Sequence, residues 1–172
     1  MLIMIYSISM HKEVPIKITK DYCFYDDGEK EAIRYDVYAQ THKIEYVGYL
    51  ELEDVKNGVK VSYIENQDPN QFRHFGQVAD QIEVEHCIKR GIKNPYIYSV
   101  AAIDTHIKHF KRGKRFIDEG INIYLDSLLK ILKKGEHIKT GYLGEKKMYM
   151  PMNLVNEIKD KIKKNSLLKG VK

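Results

Sequence analysis

The chain has 172 residues, 43% of them hydrophobic and 31% charged, with a net charge of +5; this suits one globular domain with a real core and excludes a disordered or fibrous chain. No apolar run approaches the ~18 residues of a membrane span, and the apolar residues 1–5 lack the basic start and cleavage site of a signal peptide. Two cysteines, Cys23 and Cys87, make neither a disulfide framework nor a Cys-x-x-Cys zinc spacing, so a cytoplasmic protein is expected.

Residues 1–9 read as a first strand, and residues 15–19 as another or its continuation. Residues 26–29, Asp-Asp-Gly-Glu, are turn chemistry. Residues 32–39 alternate as a half-buried strand does, and residues 46–52 are rich in β-formers. Asn57-Gly58 signals a tight hairpin that folds residues 59–64 back as the next strand. Residues 67–70 break the sheet, and a helix is expected from about Val78 to Arg90, ending at Gly91. Its apolar positions fall on more than one face, as in a helix packed on a sheet between neighbours. A strand over residues 94–102 follows, then a helix with Asp104 as N-cap and Ile107 and Phe110 inward. Residues 121–132 are helical, Gly135, Gly141 and Gly144 punctuate a loop, residues 147–151 form a last strand, and residues 154–168 a last helix.

The stretch Arg73-His74-Phe75-Gly76-Gln77-Val78, with Ala79 next, lies between the strand at 59–64 and the helix. A loop opening into a helix presents N–H groups with no intrahelical partner, and the helix dipole adds positive charge there, so the site suits a phosphate. The strand–loop–helix–strand unit resembles the acyl-CoA-binding core of the GCN5-related N-acetyltransferases, whose signature is Arg/Gln-x-x-Gly-x-Gly/Ala. Arg73 and Gly76 match it, and Val78 departs from it. The resemblance covers residues 32–116, with residues 117–172 divergent. The helix at 121–132 and the missing helix pair in residues 10–31 are further departures. It implies an α/β (α+β) fold in one domain: a mixed, mostly antiparallel sheet, flanked by helices and splayed between its fourth and fifth strands to admit CoA.

The resemblance further implies acetyl transfer from acetyl-CoA, the cosubstrate, to an unknown primary amine by direct attack, with no metal. Arg73, His74, Phe75, Gly76, Gln77, Val78 and Ala79 would hold the pyrophosphate, and a backbone N–H near Tyr63 or Ile64 would polarise the acyl carbonyl. Glu65, at the strand end, is the candidate base, set against a plain solvated charge. Phe110 falls at the family position of a tyrosine that protonates the departing thiolate. Tyr98, His106 and His109 are the other candidates for that proton.

Other features have plainer readings beside the functional ones. His106 and His109, and the group Glu83, Glu85 and His86, have helical metal spacings but no clear third ligand. Cys87 reads as core packing. From His106 onward 17 Lys+Arg face 7 Asp+Glu, a balance of +10, against −5 before it. The basic run 108–115 suits phosphate contact, on CoA or a nucleic acid, or is a solvated helix end. The basic helix at 157–164 reads as docked on its own domain, with no membrane role. A two-fold homodimer is the default assembly. The alternatives to an enzyme are a catalytically impaired CoA-binding or protein-interaction relative, and a nucleic-acid-associated protein using the basic half.

Overall fold

The computed structural model describes residues 2–6, 14–24, 31–133 and 145–169. Five strands run in succession: β1 (Leu2–Tyr6), β2 (Val14–Phe24), β3 (Glu31–Gln40), β4 (Ile44–Val55) and β5 (Gly58–Asn66). Each pairs antiparallel with the next. Helix α1 (Phe75–Lys89) crosses to β6 (Tyr96–Ala102), which lies parallel to β5. Then come α2 (Ile103–Lys111), β7 (Arg115–Phe116), α3 (Glu119–Ile131), β8 (Glu145–Tyr149) and α4 (Met152–Lys169). The eight strands form one sheet in the order β1-β2-β3-β4-β5-β6-β8-β7.

Alternation decides which face is covered. On β3, Ile33, Tyr35, Val37 and Ala39 are buried, while Arg34, Asp36 and Tyr38 between them are only partly so. Those inward residues join Ile16 and Ile18 of β2, Leu50 and Leu52 of β4, and Val59 and Val61 of β5 in one core. Phe75, Val78, Ala79, Ile82 and Cys87 of α1 and Val155 and Ile158 of α4 close it from one side. A smaller cluster, Phe110, Phe116, Leu125 and Met148, joins α2, β7, α3 and β8. Asp80, Gln81, Glu83 and His86 of α1 are also buried, so the helix is enclosed nearly all round and has no single apolar stripe.

Several sequence expectations shift. Helix α1 begins at Phe75 rather than about Val78. Helix α2 follows β6 without a break, so Asp104 lies inside it and is not its cap. The β4–β5 turn is Lys56-Asn57, with Val55 paired to Gly58. Residues 15–19 belong to a separate strand, β2, which makes the splayed pair the fifth and sixth strands rather than the fourth and fifth. Strand β7 had no sequence signal. The expected turn at 26–29 and the glycine loop at 135–144 lie outside the described residues.

Candidate functional site

Strands β5 and β6 pair only where residues 58–61 meet residues 96–99. Beyond that, β5 stays with β4 (Glu51 opposite Tyr63, Leu50 opposite Ile64, Tyr49 opposite Glu65), while β6 stays with β8 as far as Ala102 opposite Glu145. The sheet therefore forks. A bulge sits at the fork: Val61 faces Leu52 and Tyr63 faces Glu51, leaving Ser62 extra. Such an insertion bends a strand and sharpens its twist, and here it falls where β6 departs. From residue 62 to 66, the edge of β5 toward β6 has no strand partner among the described residues.

The bulge also sets which side chains turn outward. Ile64 packs against the core, while Tyr63 is half-exposed and stacks on Tyr49 with ring centroids 5.3 Å apart. The guanidinium carbon of Arg34 lies 3.7 Å from the Tyr49 ring centroid. Glu65 stands opposite Tyr49 and accepts a hydrogen bond from the Gln67 side chain. Burial and the nearby Glu65 carboxylate push the Tyr49 phenol up to about 12.

Helix α1 links the end of β5 to the start of a parallel β6, so its N-terminus lies at the end where the strands part. His74 precedes it in the left-handed conformation, φ 64°, with no side-chain cap. The N–H groups of Gln77 and Val78 return to the His74 carbonyl at 2.9 and 3.4 Å. Those of Phe75 and Gly76 have no partner among the described residues. No acidic residue occupies the first turn. Arg73, His74 and Gln77 are exposed around it, whereas Phe75, Val78 and Ala79 point into the core. The valine that departs from the signature is thus a core side chain.

In the basic run 108–115, Lys108 and Lys111 are exposed, as a solvated helix end would be, but Arg112 and Lys114 turn inward. Lys114 is buried, with Nζ 2.7 Å from Glu83 and 3.0 Å from Asp80. Arg112 donates from Nε and Nη2 to the Asp80 carboxylate at 2.7 and 3.2 Å. Its Nη1 donates to the Lys108 carbonyl at 3.3 Å, and Nη2 lies 3.0 Å from His109 Nδ1. The guanidinium also covers Gly76, where a Cβ would overlap it. Gly76, Asp80 and Glu83 share one stripe of α1, and Arg112 and Lys114 lie along it. Sequence reasoning missed this cluster; the i, i+4, i+7 spacing of a glycine and two carboxylates was its only signal.

The remaining predicted residues are more scattered. Tyr98 lies in the paired part of β6, stacked on Tyr96 at 5.2 Å, with Lys147 Nζ 4.2 Å from its ring centroid. Phe110 is buried in the second cluster, its ring centroid 6.1 Å from that of Phe116. Burial pushes His106 down to about 4 and His109 down to about 3, the latter helped by Lys114 and Arg112. The Cys87 thiol is buried and pushed up to about 11. His86 does not group with Glu83: its Nδ1 lies 2.8 Å from the Tyr35 hydroxyl and its Nε2 2.7 Å from Asp54. This chain borders a cavity of about 640 Å³ between the C-terminal half of α1 and β2. The cavity is remote from the fork, and both nitrogens of His86 are satisfied there, so we read the chain as a brace between helix and sheet. No group of three or more His, Cys, Asp or Glu among the described residues could hold a metal ion. None of the described helices is long and apolar enough to cross a membrane.

No protein-family model matches the sequence, and no curated protein matches it. Solved structures do. A Bacillus subtilis acetyltransferase in complex with CoA is similar at TM-score 0.50 and 15% identity, over 78% of this chain and 97% of that one. Tetrahymena GCN5 matches at TM-score 0.42 and 17% identity, over 69% of this chain and 68% of that one. Nourseothricin acetyltransferase matches at 0.43 and 14%, over 86% and 91%. The chain has the fold of the GCN5-related N-acetyltransferases in a divergent form, a mixed α/β arrangement around a mostly antiparallel sheet.

Proposed function

We propose that a chain with this acetyltransferase fold is itself an acetyl-CoA-dependent N-acetyltransferase, moving an acetyl group to a primary amine. The observation that carries this reading is the fork between β5 and β6 with the uncapped N-terminus of α1 at its open end. The residues present fit the cosubstrate. The N–H groups of Phe75 and Gly76 and the Arg112 guanidinium would hold the pyrophosphate, with Arg73, His74 and Gln77 around them. Acetyl-CoA, when bound, supplies an activated acyl group.

The chain's own part is positioning and proton handling. The N–H of Tyr63 or Ile64, near the free edge of β5, would stabilise charge developing on an acyl oxygen. Glu65 takes the proton of the incoming ammonium, directly or through one water. Direct attack needs no nucleophilic side chain, and Cys87, buried with its thiol held protonated, does not offer one. Phe110 carries no hydroxyl and packs in the second cluster, and the buried His106 and His109 are neutral near pH 7. The departing thiolate then leaves without a tyrosine acid, which a thiol tolerates better than an alcohol would.

That same lack of an acid favours a second reading, a CoA-binding relative without turnover. Titration calorimetry with acetyl-CoA tests what both share. Micromolar binding, weakened in Arg73→Ala, is expected; no heat at millimolar ligand overturns both. An amine-acceptor screen then separates them.

A further inference from the structure

Residues paired across a sheet share a face, so the register shows which face each helix covers. Val61 belongs to the core beneath α1 and α4. Ser99 lies opposite Val61, Met148 opposite Ser99, and Phe116 opposite Met148. Met148 and Phe116 are the strand side chains in the cluster with α2 and α3. The buried faces of all four helices thus lie on one side of the sheet, and among the described residues no helix covers the other.

On that open side, beside the fork, two tyrosines and two carboxylates alternate in a square. Tyr49 and Glu51 follow each other along β4, and Glu65 and Tyr63 stand opposite them on β5. The tyrosines share one diagonal and stack with 10° between their planes, which leaves the carboxylates on the other diagonal. Tyrosine rings on this side already hold cations of the chain itself. Arg34 sits 3.7 Å from the Tyr49 centroid, and Lys147 Nζ 4.2 Å from that of Tyr98. Arg34 pairs with Asp36 at 3.0 Å and stands 3.6 Å from Glu51, while Lys60 pairs with Glu53 at 2.9 Å. Two cations therefore serve the four carboxylates Asp36, Glu51, Glu53 and Glu65, and the square has negative charge to spare.

We propose that this square selects the acceptor, a linear aliphatic amine that carries a second positive charge: a diamine or polyamine acetylated at one terminal nitrogen. This rests on the acetyltransferase reading and names the substrate class of that site. The reacting ammonium gives one proton to Glu65. Its nitrogen then bonds the acetyl carbon, the C–S bond breaks with its electron pair going to sulfur, and the second proton lost from nitrogen passes to the thiolate. A monoamine thus surrenders, before attack, the only charge that rings and carboxylates could hold. A second, unreacting cation stays bound through the transition state, where binding raises the rate. Glu51 and the open side of the Tyr63 ring, 49% exposed, offer it a seat. Diagonal neighbours in an antiparallel pair lie about 7–8 Å apart. With C–C bonds of about 1.5 Å, a chain of a few methylene groups spans the gap from Glu65 to Glu51. An acceptor ending in a carboxylate would meet like charge there and be rejected.

The test measures thiol release from acetyl-CoA with three linear acceptors that differ only at the far end: diaminobutane, butylamine and aminobutyrate. Wild type should show kcat/KM about five- to tenfold higher for diaminobutane than for butylamine, with aminobutyrate lowest. Glu51→Gln and Tyr63→Leu should each erase the advantage of the diamine over butylamine, a ratio that a merely structural role would not move. Equal rates on these two, or a preference for aminobutyrate, overturn the acceptor class and leave acetyl transfer to an amine standing. Wild type that binds CoA by calorimetry but acetylates none of the three also overturns the class. Wild type that binds no CoA overturns the acetyltransferase reading and this class with it. Should Tyr63→Leu fail to fold, Glu51→Gln keeps the shape of the strand and carries the comparison.

Discussion

The guanidinium of Arg112 lies so close over Gly76 that a Cβ there would overlap Nη1 and Cζ. Gly76 is therefore held without a side chain by an arginine of this chain. Arg112 is tied to Asp80, His109 and the Lys108 carbonyl, so it has little room to step aside. Gly76→Ala should displace it and strip Asp80 of one of its two cations. We expect a loss of about 1–3 kcal/mol in urea unfolding, together with weaker CoA binding by calorimetry. An alanine variant equal to wild type in both would show that Arg112 yields freely and does not matter to the site.

Glu65→Gln keeps the shape of the strand end and removes its basicity. CoA affinity should stay within about twofold, since Glu65 is assigned to the amine and not to the cosubstrate. Turnover of whichever amine the screen identifies should fall by about 10²–10⁴. Full activity in this variant would return Glu65 to the status of a solvated charge.

The buried ions predict a pH dependence. Asp80 and Glu83 share Lys114, and Asp80 has Arg112 as well. Burial opposes ionisation of Asp80, but Lys114 and Arg112 outweigh it and hold the carboxyl down at about 2. For Glu83, burial and the Asp80 charge win over Lys114 and push it up to about 7. Folded Glu83 thus binds its proton more tightly than the unfolded chain, whose value is near 4.5. Its contribution is complete below that value and is lost as pH rises through 7. Asp80 works the other way, and its contribution fades only as pH falls from 3.8 toward 2. Between about pH 6 and about pH 8, the melting temperature of Glu83→Gln minus that of wild type should therefore rise. A flat difference would mean that Glu83 does not titrate in that window.

The closed end of the fork depends on Gly58, where a Cβ would overlap the Tyr96 carbonyl across the β5–β6 pairing. That contact is backbone on backbone, so no rotamer relieves it. Gly58→Ala should cost about 3 kcal/mol or more, read by chemical denaturation. A cost under about 1 kcal/mol would show that β6 can shift without loss.

Much of the fold was legible in the sequence because hairpin strands and turn residues are local signals. Residues 32–64 carry the alternation of three strands and a tight turn, and the structure has β3, β4 and β5 there. The start of α1 was misplaced because His74 adopts a left-handed conformation that a glycine or asparagine would have announced. The ion cluster was hidden for a different reason. Arg112 and Lys114 sit in a run of cations that reads as solvated, and only packing against α1 brings them to Asp80 and Glu83, some thirty residues away in sequence.

The fork gives the sheet two leaves. One is β1 to β5 with α1; the other is β6, β8 and β7 with α2. Among the described residues, the pairing of 58–61 with 96–99 and the bond from Tyr96 N–H to the Asn57 carbonyl stitch them along the backbone, and the Asp80–Arg112 and Lys114–Glu83 contacts join α1 to the other leaf. Beyond Val61 and Ser99 the facing edges of β5 and β6 do not pair with each other. Amide exchange in ligand-free protein should accordingly run faster along the seam than within each leaf.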